Sequence, residues 1–223
     1  MNHRWSSPTG AITTTTSDPI APWACRVHRS LPETTQLKVF NKSLRRLGLD
    51  YIDLYLIHWP VPVNRHDSWR ALETTYEEGK ARAIGVSNYM VQHLEEVLEY
   101  GKVLPAANQI ELHPFNYNTR WTTIDLCRQH GISDECYSPL TKGVRLADPG
   151  LSQMVEKHGR SSAQILIRWG LQKGLVTLPK PSHVERIREN ADVFDFPIGE
   201  EDMDALEKLN EGYSCTWDPS DED

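Results

Sequence analysis

The sequence predicts an α/β fold, a partial (β/α) TIM-type barrel in which parallel strands alternate with helices. Short apolar runs typical of buried parallel strands alternate with stretches whose apolar residues recur every three or four positions. No strand-like run is followed by the Gly-x-Gly-x-x-Gly pattern of a doubly wound dinucleotide-binding sheet. A barrel is therefore the favoured architecture, and in barrels the functional residues lie at the carboxyl ends of the strands.

The predicted elements follow one another from about residue 35. Strands are expected at residues 51–57, 83–86, 107–112, 132–137 and 175–178. The fourth strand is the weakest, because Asp134 and Glu135 place two carboxylates in a segment that should be buried. Helical spacing is present at residues 37–47, 91–98 and 165–171. These elements amount to about five βα units.

Residues 1–34 differ from the rest of the chain. They contain a threonine run, several prolines and no apolar periodicity, which predicts an irregular or disordered segment before a barrel domain at residues 35–223. A complete barrel has eight βα units, three more than the five predicted here. A βαβ unit takes about 30 residues, so this segment is too short for three further units. The barrel is expected to be incomplete, with unpaired strand edges.

Composition and charge argue against nucleic acid and anionic membranes as binding partners. The formal net charge is -7, and no Lys/Arg cluster offers a surface for nucleic acid or an anionic membrane. The four cysteines are scattered and form no Cys-x-x-Cys pair, so neither a metal site nor a disulfide framework is predicted. No apolar run approaches the roughly 18 residues that span a bilayer. We expect a cytoplasmic protein with a small-molecule partner; the oligomeric state is not predicted.

Polar residues mark the ends of the predicted strands, and each has a structural alternative. Ser87 or Asn88 could cap the following helix, Gln109 could be a satisfied core residue, and Lys180 could be a solvated charge. A lone histidine such as His58 is more often structural than catalytic. Their convergence on one edge of the sheet favours a functional site.

Five motifs occur in a fixed order between about residues 23 and 218: LRRLGLDYIDLYLIHWP, GKARAIGVSNY, NQIELHP, YSPL and LPKPSHVERIRENADVFDF. Together they resemble the aldo-keto reductases. The resemblance implies NADP(H)-dependent reduction of an aldehyde or ketone to an alcohol at the mouth of a barrel. It also implies that strands 4 to 8 of the family barrel are present here and that the first three are missing.

The resemblance assigns roles to individual residues. His58 matches the residue that orients the substrate carbonyl, and Trp59 matches a wall of the substrate pocket. The implied cofactor positions are Ser87, Asn88 and Gln109 at the nicotinamide carboxamide, Tyr137 against the ring, Ser138 and Leu140 along the pyrophosphate, Lys180 and Arg186 at the 2′-phosphate, and Glu189 and Asn190 near the adenine. Pro181 replaces the usual Ser or Thr after the lysine, and Ser182 is expected to compensate in part. Glu111 and His113 belong to the motif, and a structural role is expected for both.

The chain departs from the family at the proton donor. The family uses a tyrosine assisted by a lysine and an aspartate, all upstream of the histidine, whereas the first tyrosine here is Tyr51 and the first lysine is Lys38. Impaired or absent turnover is therefore expected. Two alternatives stay open: a non-catalytic NADP-binding or interaction protein, and a truncated isoform without a stable fold.

Overall fold

The computed structural model describes residues 25–27, 32–60, 63–181 and 183–219 of the 223-residue chain. Six strands of the described residues form one sheet in chain order: β1 (Cys25–Val27), β2 (Ile52–Ile57), β3 (Ala81–Ser87), β4 (Ala107–Glu111), β5 (Ser133–Tyr137) and β6 (Val176–Leu178). Every strand pairs in parallel with the next one along the chain. Within these ranges β1 and β6 each have one partner strand, so the sheet has two edges.

Eight α-helices of the described residues connect or follow the strands: α1 (Glu33–Leu47), α2 (Arg65–Glu77), α3 (Val91–Tyr100), α4 (Trp121–Gln129), α5 (Pro149–His158), α6 (Ser162–Gln172), α7 (Val184–Ala191) and α8 (Glu200–Glu207). Local signals explain several of their ends. The left-handed conformation of Gly48, with φ 65°, terminates α1. A capping box starts α6, because the N–H of Gln164 donates to Ser161 Oγ while the N–H of Ser161 donates to Gln164 Oε1.

The core lies between the sheet and the helices. Tyr55 and Ile57 of β2 are buried in a cluster with Phe40 of α1 and Trp69 of α2. A second cluster packs β4 and β5 against α6, and Ile110, Cys136 and Leu166 are among its buried members. Because successive side chains of a strand point to opposite faces, Leu56 of β2 faces away from these helices, and His58 directly follows the end of the strand. This alternation supplies the face and the edge on which the candidate site is built.

The five predicted strands are confirmed as β2 to β6, and the three predicted helical stretches lie in α1, α3 and α6. β1 was not expected, because three residues are too few to show periodicity. Of the rest of the predicted irregular segment, Pro32 precedes α1, Glu33 and Thr34 lie in its first turn, and residues 1–24 and 28–31 lie outside the described residues. No helix in the described part of the chain is both long and apolar enough to cross a membrane.

β5 accommodates its two carboxylates on opposite faces. Glu135 is half-buried and accepts a hydrogen bond from Gln109 Nε2 at 2.7 Å. Asp134 is 6% exposed on the other face, and its Oδ1 has no hydrogen-bond partner. Burial raises the pKa of Asp134 to about 6, since the charged form is poorly solvated there. The strand therefore forms, at an energetic cost that falls mainly on Asp134.

Candidate functional site

The side chain of Asn88 joins the carboxyl ends of β2, β3 and β5. Its Nδ2 donates to the carbonyl of His58 at 3.0 Å and to Ser87 Oγ at 3.2 Å. The hydroxyl of Tyr137 donates to Asn88 Oδ1 at 2.9 Å, and the backbone N–H of Asn88 donates to the carbonyl of Gln109 on β4 at 2.9 Å. Asn88 has φ 64°, a left-handed conformation that asparagine tolerates better than most residues. Five of the predicted site residues thus meet at one edge.

Gln109 carries an orphaned polar atom at this edge. It is 1% exposed, and in the sheet register it lies between Ser87 of β3 and Glu135 of β5. Ser87 Oγ donates to the backbone carbonyl of Gln109 at 2.7 Å. The Gln109 side chain donates to Glu135, but its Oε1 is buried without a partner. A buried unsatisfied acceptor costs about 1–3 kcal/mol, so a ligand N–H at this position would be stabilising.

A cleft of about 900 Å³ opens beside the ends of β5 and β6. Its volume is in the range of small-molecule and cofactor sites. The predicted cofactor residues that line it are Ser138, Leu140, Lys180, Arg186, Glu189 and Asn190, and Pro181 lines it as well. Lys180 and Arg186 bring two exposed cations to the cleft, which suits an anionic group such as a phosphate. Ser182 lies outside the described residues.

The segment after β2 holds the two residues predicted to contact substrate. His58 and Trp59 are both half-buried. The ring of Trp59 packs against that of Trp217, with centroids 3.5 Å apart and an interplanar angle of 32°. Arg65 at the start of α2 donates to the carbonyl of Pro60 at 3.1 Å. The carbonyl of His58 and that of Pro60 are therefore both fixed by hydrogen bonds from neighbouring elements.

Arg65 is itself held by α3. Its Nη2 and Nε contact the two carboxylate oxygens of Glu96 at 2.7 and 2.9 Å. This bidentate geometry is the strong form of an Arg–carboxylate pair. The position of the His58 segment consequently depends on packing between α2 and α3, outside the site itself.

Glu111 anchors the C-terminal segment to the sheet. Its Oε1 contacts His113 Nε2 at 3.0 Å and accepts from the N–H of Cys215 at 2.6 Å. Its Oε2 accepts from the N–H of Thr216 at 3.1 Å and from the Thr216 hydroxyl. Burial alone would raise the pKa of Glu111, but the hydrogen bonds from His113, Thr216 and Cys215 outweigh it and lower the pKa to about 2.

Glu111, His113 and Cys215 place three potential metal-ligand atoms within 4.8 Å of one another. Both carboxylate oxygens are already occupied by the hydrogen bonds of the anchor, and a metal would have to displace them. The arrangement accordingly fits the structural role expected for Glu111 and His113.

Three residues of this region were not identified from the sequence: Glu135, Thr216 and Trp217. Glu135 could have been found, because its spacing of two from Tyr137 on a strand puts both on one face. Thr216 contacts the Tyr137 hydroxyl at 3.3 Å, and Trp217 packs on Trp59. Both belong to a segment without periodicity, so only the tertiary structure places them here.

Comparisons with known proteins bear on this site. The sequence model of the Aldo/keto reductase family matches residues 22–211. A glyoxal reductase of Bacillus subtilis (strain 168) is 51% identical over 176 residues, which cover 79% of this chain and 63% of that protein. A 9,11-endoperoxide prostaglandin H2 reductase of Trypanosoma cruzi is 45% identical over 186 residues, covering 82% of this chain and 65% of that protein. The chain thus spans less than two thirds of the length of either relative.

Solved structures give the same result. An aldo-keto reductase from a Medee basin deep-sea metagenome library superposes with a TM-score of 0.84 at 38% identity, covering 90% of this chain and 75% of that one. A mutant of Gox0644 in complex with NADPH superposes with a TM-score of 0.83 at 35% identity, covering 89% and 74%. The fold and the sequence agree, and the chain belongs to the aldo/keto reductase family.

Proposed function

We propose that this chain binds NADP(H) and serves the reduction of aldehydes or ketones to alcohols. The observation that carries the proposal is the orphaned Oε1 of Gln109, which lies at the strand ends among hydrogen-bonded polar residues. The cleft with Lys180 and Arg186 opens beside the same end of the sheet. A glyoxal reductase among the relatives and an NADPH complex among the solved structures support the same assignment.

In this proposal the strand ends bind the nicotinamide, and the cleft binds the rest of the cofactor. Ser87, Asn88 and Gln109 would hold the nicotinamide carboxamide, and the Tyr137 ring would lie against the nicotinamide. The cleft would take the rest, with Ser138 and Leu140 along the pyrophosphate, Lys180 and Arg186 at the 2′-phosphate, and Glu189 and Asn190 near the adenine. Two cations at the 2′-phosphate favour NADP over NAD. Ser182, outside the described residues, stays a predicted contributor.

NADPH supplies a hydride when it is bound. His58 would orient the substrate carbonyl, and Trp59 would form one wall of the substrate pocket. A small carbonyl compound is the proposed substrate class. The free thiols of Cys127, Cys136 and Cys215 favour a reducing setting, and we propose a cytoplasmic location.

We further propose that this polypeptide turns over carbonyl compounds slowly. Carbonyl reduction also needs a proton donor, and loss of a general acid costs about 10²- to 10⁴-fold in rate. The described residues bring one lysine to a tyrosine ring, Lys173 to Tyr117 at 5.2 Å, but this pair lines an outer cleft formed by α4, α6 and α8. Burial raises the pKa of Tyr117, which is the wrong direction for a donor. A non-catalytic NADP-binding protein is the second candidate, favoured by the cofactor-side residues at the strand ends and in the cleft.

Fluorescence titration with NADPH and NADH tests the binding. We expect saturable NADPH binding, and Arg186→Met should weaken it about 10- to 100-fold because a charge-assisted contact is lost. The affinity for NADH, which lacks the 2′-phosphate, should change little. Arg188→Met is the matched control, since Arg188 lies in α7 but does not line the cleft. Absence of saturable NADPH binding to the wild type would refute the proposal.

Turnover is tested by following NADPH oxidation with glyoxal and with a simple aromatic aldehyde. Slow or undetectable oxidation, together with saturable NADPH binding, is the expected result. Rates normal for a reductase would leave the cofactor assignment standing and would overturn the proposal of slow turnover.

A further inference from the structure

We infer that Glu135 is a positioning residue that orients the amide of Gln109, so that the site selects a dinucleotide whose ring substituent donates a hydrogen bond. The inference rests on the proposed function, because it concerns how the proposed nicotinamide subsite recognises its ligand. Glu135 itself need not touch the ligand. It acts through the side chain of Gln109.

The sheet register brings the two residues together. Gln109 of β4 and Glu135 of β5 are direct neighbours in the parallel pairing, and Gln109 Nε2 donates to Glu135 Oε2 at 2.7 Å. On the other side of Glu135 the registered neighbour is Val176, whose side chain offers no hydrogen bond. An ionised carboxylate only accepts hydrogen bonds, so it holds the NH₂ end of the amide. The planar amide then turns its Oε1 away from β5.

The opposite orientation of the amide is disfavoured electrostatically. It would place the carbonyl oxygen of Gln109 against the carboxylate of Glu135, where two acceptors would face each other without a hydrogen between them. Nε2 would then occupy the position of the orphaned oxygen, and the subsite would present a donor. Glu135 therefore decides whether this position accepts or donates.

Ser87, Asn88 and Tyr137 use their side-chain donors within the protein. The Ser87 hydroxyl donates to the carbonyl of Gln109, and Asn88 Nδ2 donates to the His58 carbonyl and to Ser87 Oγ. The Tyr137 hydroxyl donates to Asn88 Oδ1. These three side chains therefore leave a ligand no free donor, whereas two acceptors remain: the partnerless Gln109 Oε1 and the second lone pair of Asn88 Oδ1. A carboxamide NH₂ carries two hydrogens that match such a subsite.

Competition against bound NADPH tests the inference with two oxidised dinucleotides. NADP⁺ carries the carboxamide, whereas its 3-acetylpyridine analogue replaces the NH₂ with a methyl group of similar size and has no donor. The wild type should prefer NADP⁺ by about 10-fold, the usual effect of one hydrogen bond to a buried acceptor. Glu135→Gln offers both a donor and an acceptor to Gln109, so the amide can rotate and the preference should fall to about 2-fold or less.

The ratio of the two affinities is the decisive readout, because general destabilisation of the protein lowers both affinities together. Glu95→Gln is the matched control: Glu95 is exposed on α3, and the same chemical change there should leave the preference at the wild-type value. A Glu135→Gln protein that keeps the wild-type preference would overturn the inference while the proposed function stands.

The wild-type measurement alone can refute the inference, even if the variant does not fold. Equal affinity for the two dinucleotides would show that Gln109 presents no acceptor, and the inference would fail. If the wild type binds neither of them nor NADPH, the proposed function fails, and the inference with it.

Discussion

The anchor at Glu111 makes a quantitative prediction about stability and pH. The perturbation is Glu111→Gln, which removes the negative charge and turns one accepting oxygen into an NH₂ group. The carboxylate accepts from the N–H groups of Cys215 and Thr216, from the Thr216 hydroxyl, and contacts His113. At least one of these donors would then face another donor, so the variant loses more than a charge.

The magnitude follows from the pKa of Glu111. Its ordinary value is 4.5, and hydrogen bonding in the folded protein overcomes the effect of burial and lowers the pKa to about 2. At 1.36 kcal/mol per pKa unit, the difference corresponds to about 3 kcal/mol of stabilisation. Because the folded-state pKa is depressed, this contribution is fully present above about pH 4.5 and is lost as the pH falls toward 2.

Urea unfolding at a series of pH values measures it. At pH 7 Glu111→Gln should be about 3 kcal/mol less stable than the wild type, and the gap should narrow as the pH falls from about 4.5 toward 2. Glu95→Gln, the same change at an exposed position, should follow the wild type at every pH. A gap between the Glu111 variant and the wild type that stays constant from pH 7 to pH 3 would show that the ionised carboxylate is not what the anchor depends on.

Three further predictions use the same unfolding assay. Asp134→Asn should stabilise the protein at pH 7 by up to about 3 kcal/mol, because burial raises the pKa of Asp134 from 3.8 to about 6. This gain in stability should vanish below about pH 4, where Asp134 is protonated in both the folded and the unfolded protein. A gain that persists below about pH 4 would contradict this cause. Gly85→Ala should cost about 1–3 kcal/mol, since a Cβ there would lie 2.5 Å from the carbonyl oxygen of Ala107, and an unchanged unfolding midpoint would show that β3 and β4 can separate without strain. Arg65→Met should cost about 1–3 kcal/mol because it removes the charged donor to the Pro60 carbonyl, and an equal loss from the exposed-site variant Arg70→Met would rule out that explanation.

The sheet was largely predictable because its strands are short apolar runs with polar residues at one end. β2 shows this most clearly: its apolar run stops at His58, and the site begins there. β1 was not predicted because three residues are too few to show an apolar pattern. β5 was doubtful because carboxylates are costly to bury, yet alternation along the strand sends Glu135 to an amide partner and leaves only Asp134 without one for Oδ1.

The contacts that complete the candidate site could not be predicted from the sequence. Cys215 and Thr216, which donate to Glu111, lie 104 and 105 positions away along the chain, in a segment without periodicity. The packing of Trp217 on Trp59 likewise joins distant segments. Local sequence patterns predict which face of a strand or helix a side chain lies on. The residue that it contacts there is determined by the tertiary fold.

The hydrogen bonds of Asn88 restrict motion at the carboxyl ends of the strands. One residue ties together the ends of β2, β3, β4 and β5, so none of these ends can fray without breaking a hydrogen bond to another. Amide hydrogen exchange in this region should therefore proceed through a single cooperative opening, with similar protection for the Asn88 N–H and its neighbours on the joined strands. A nucleotide would then meet a surface whose shape is set before it arrives, and little of its binding energy would be spent on ordering the strand ends.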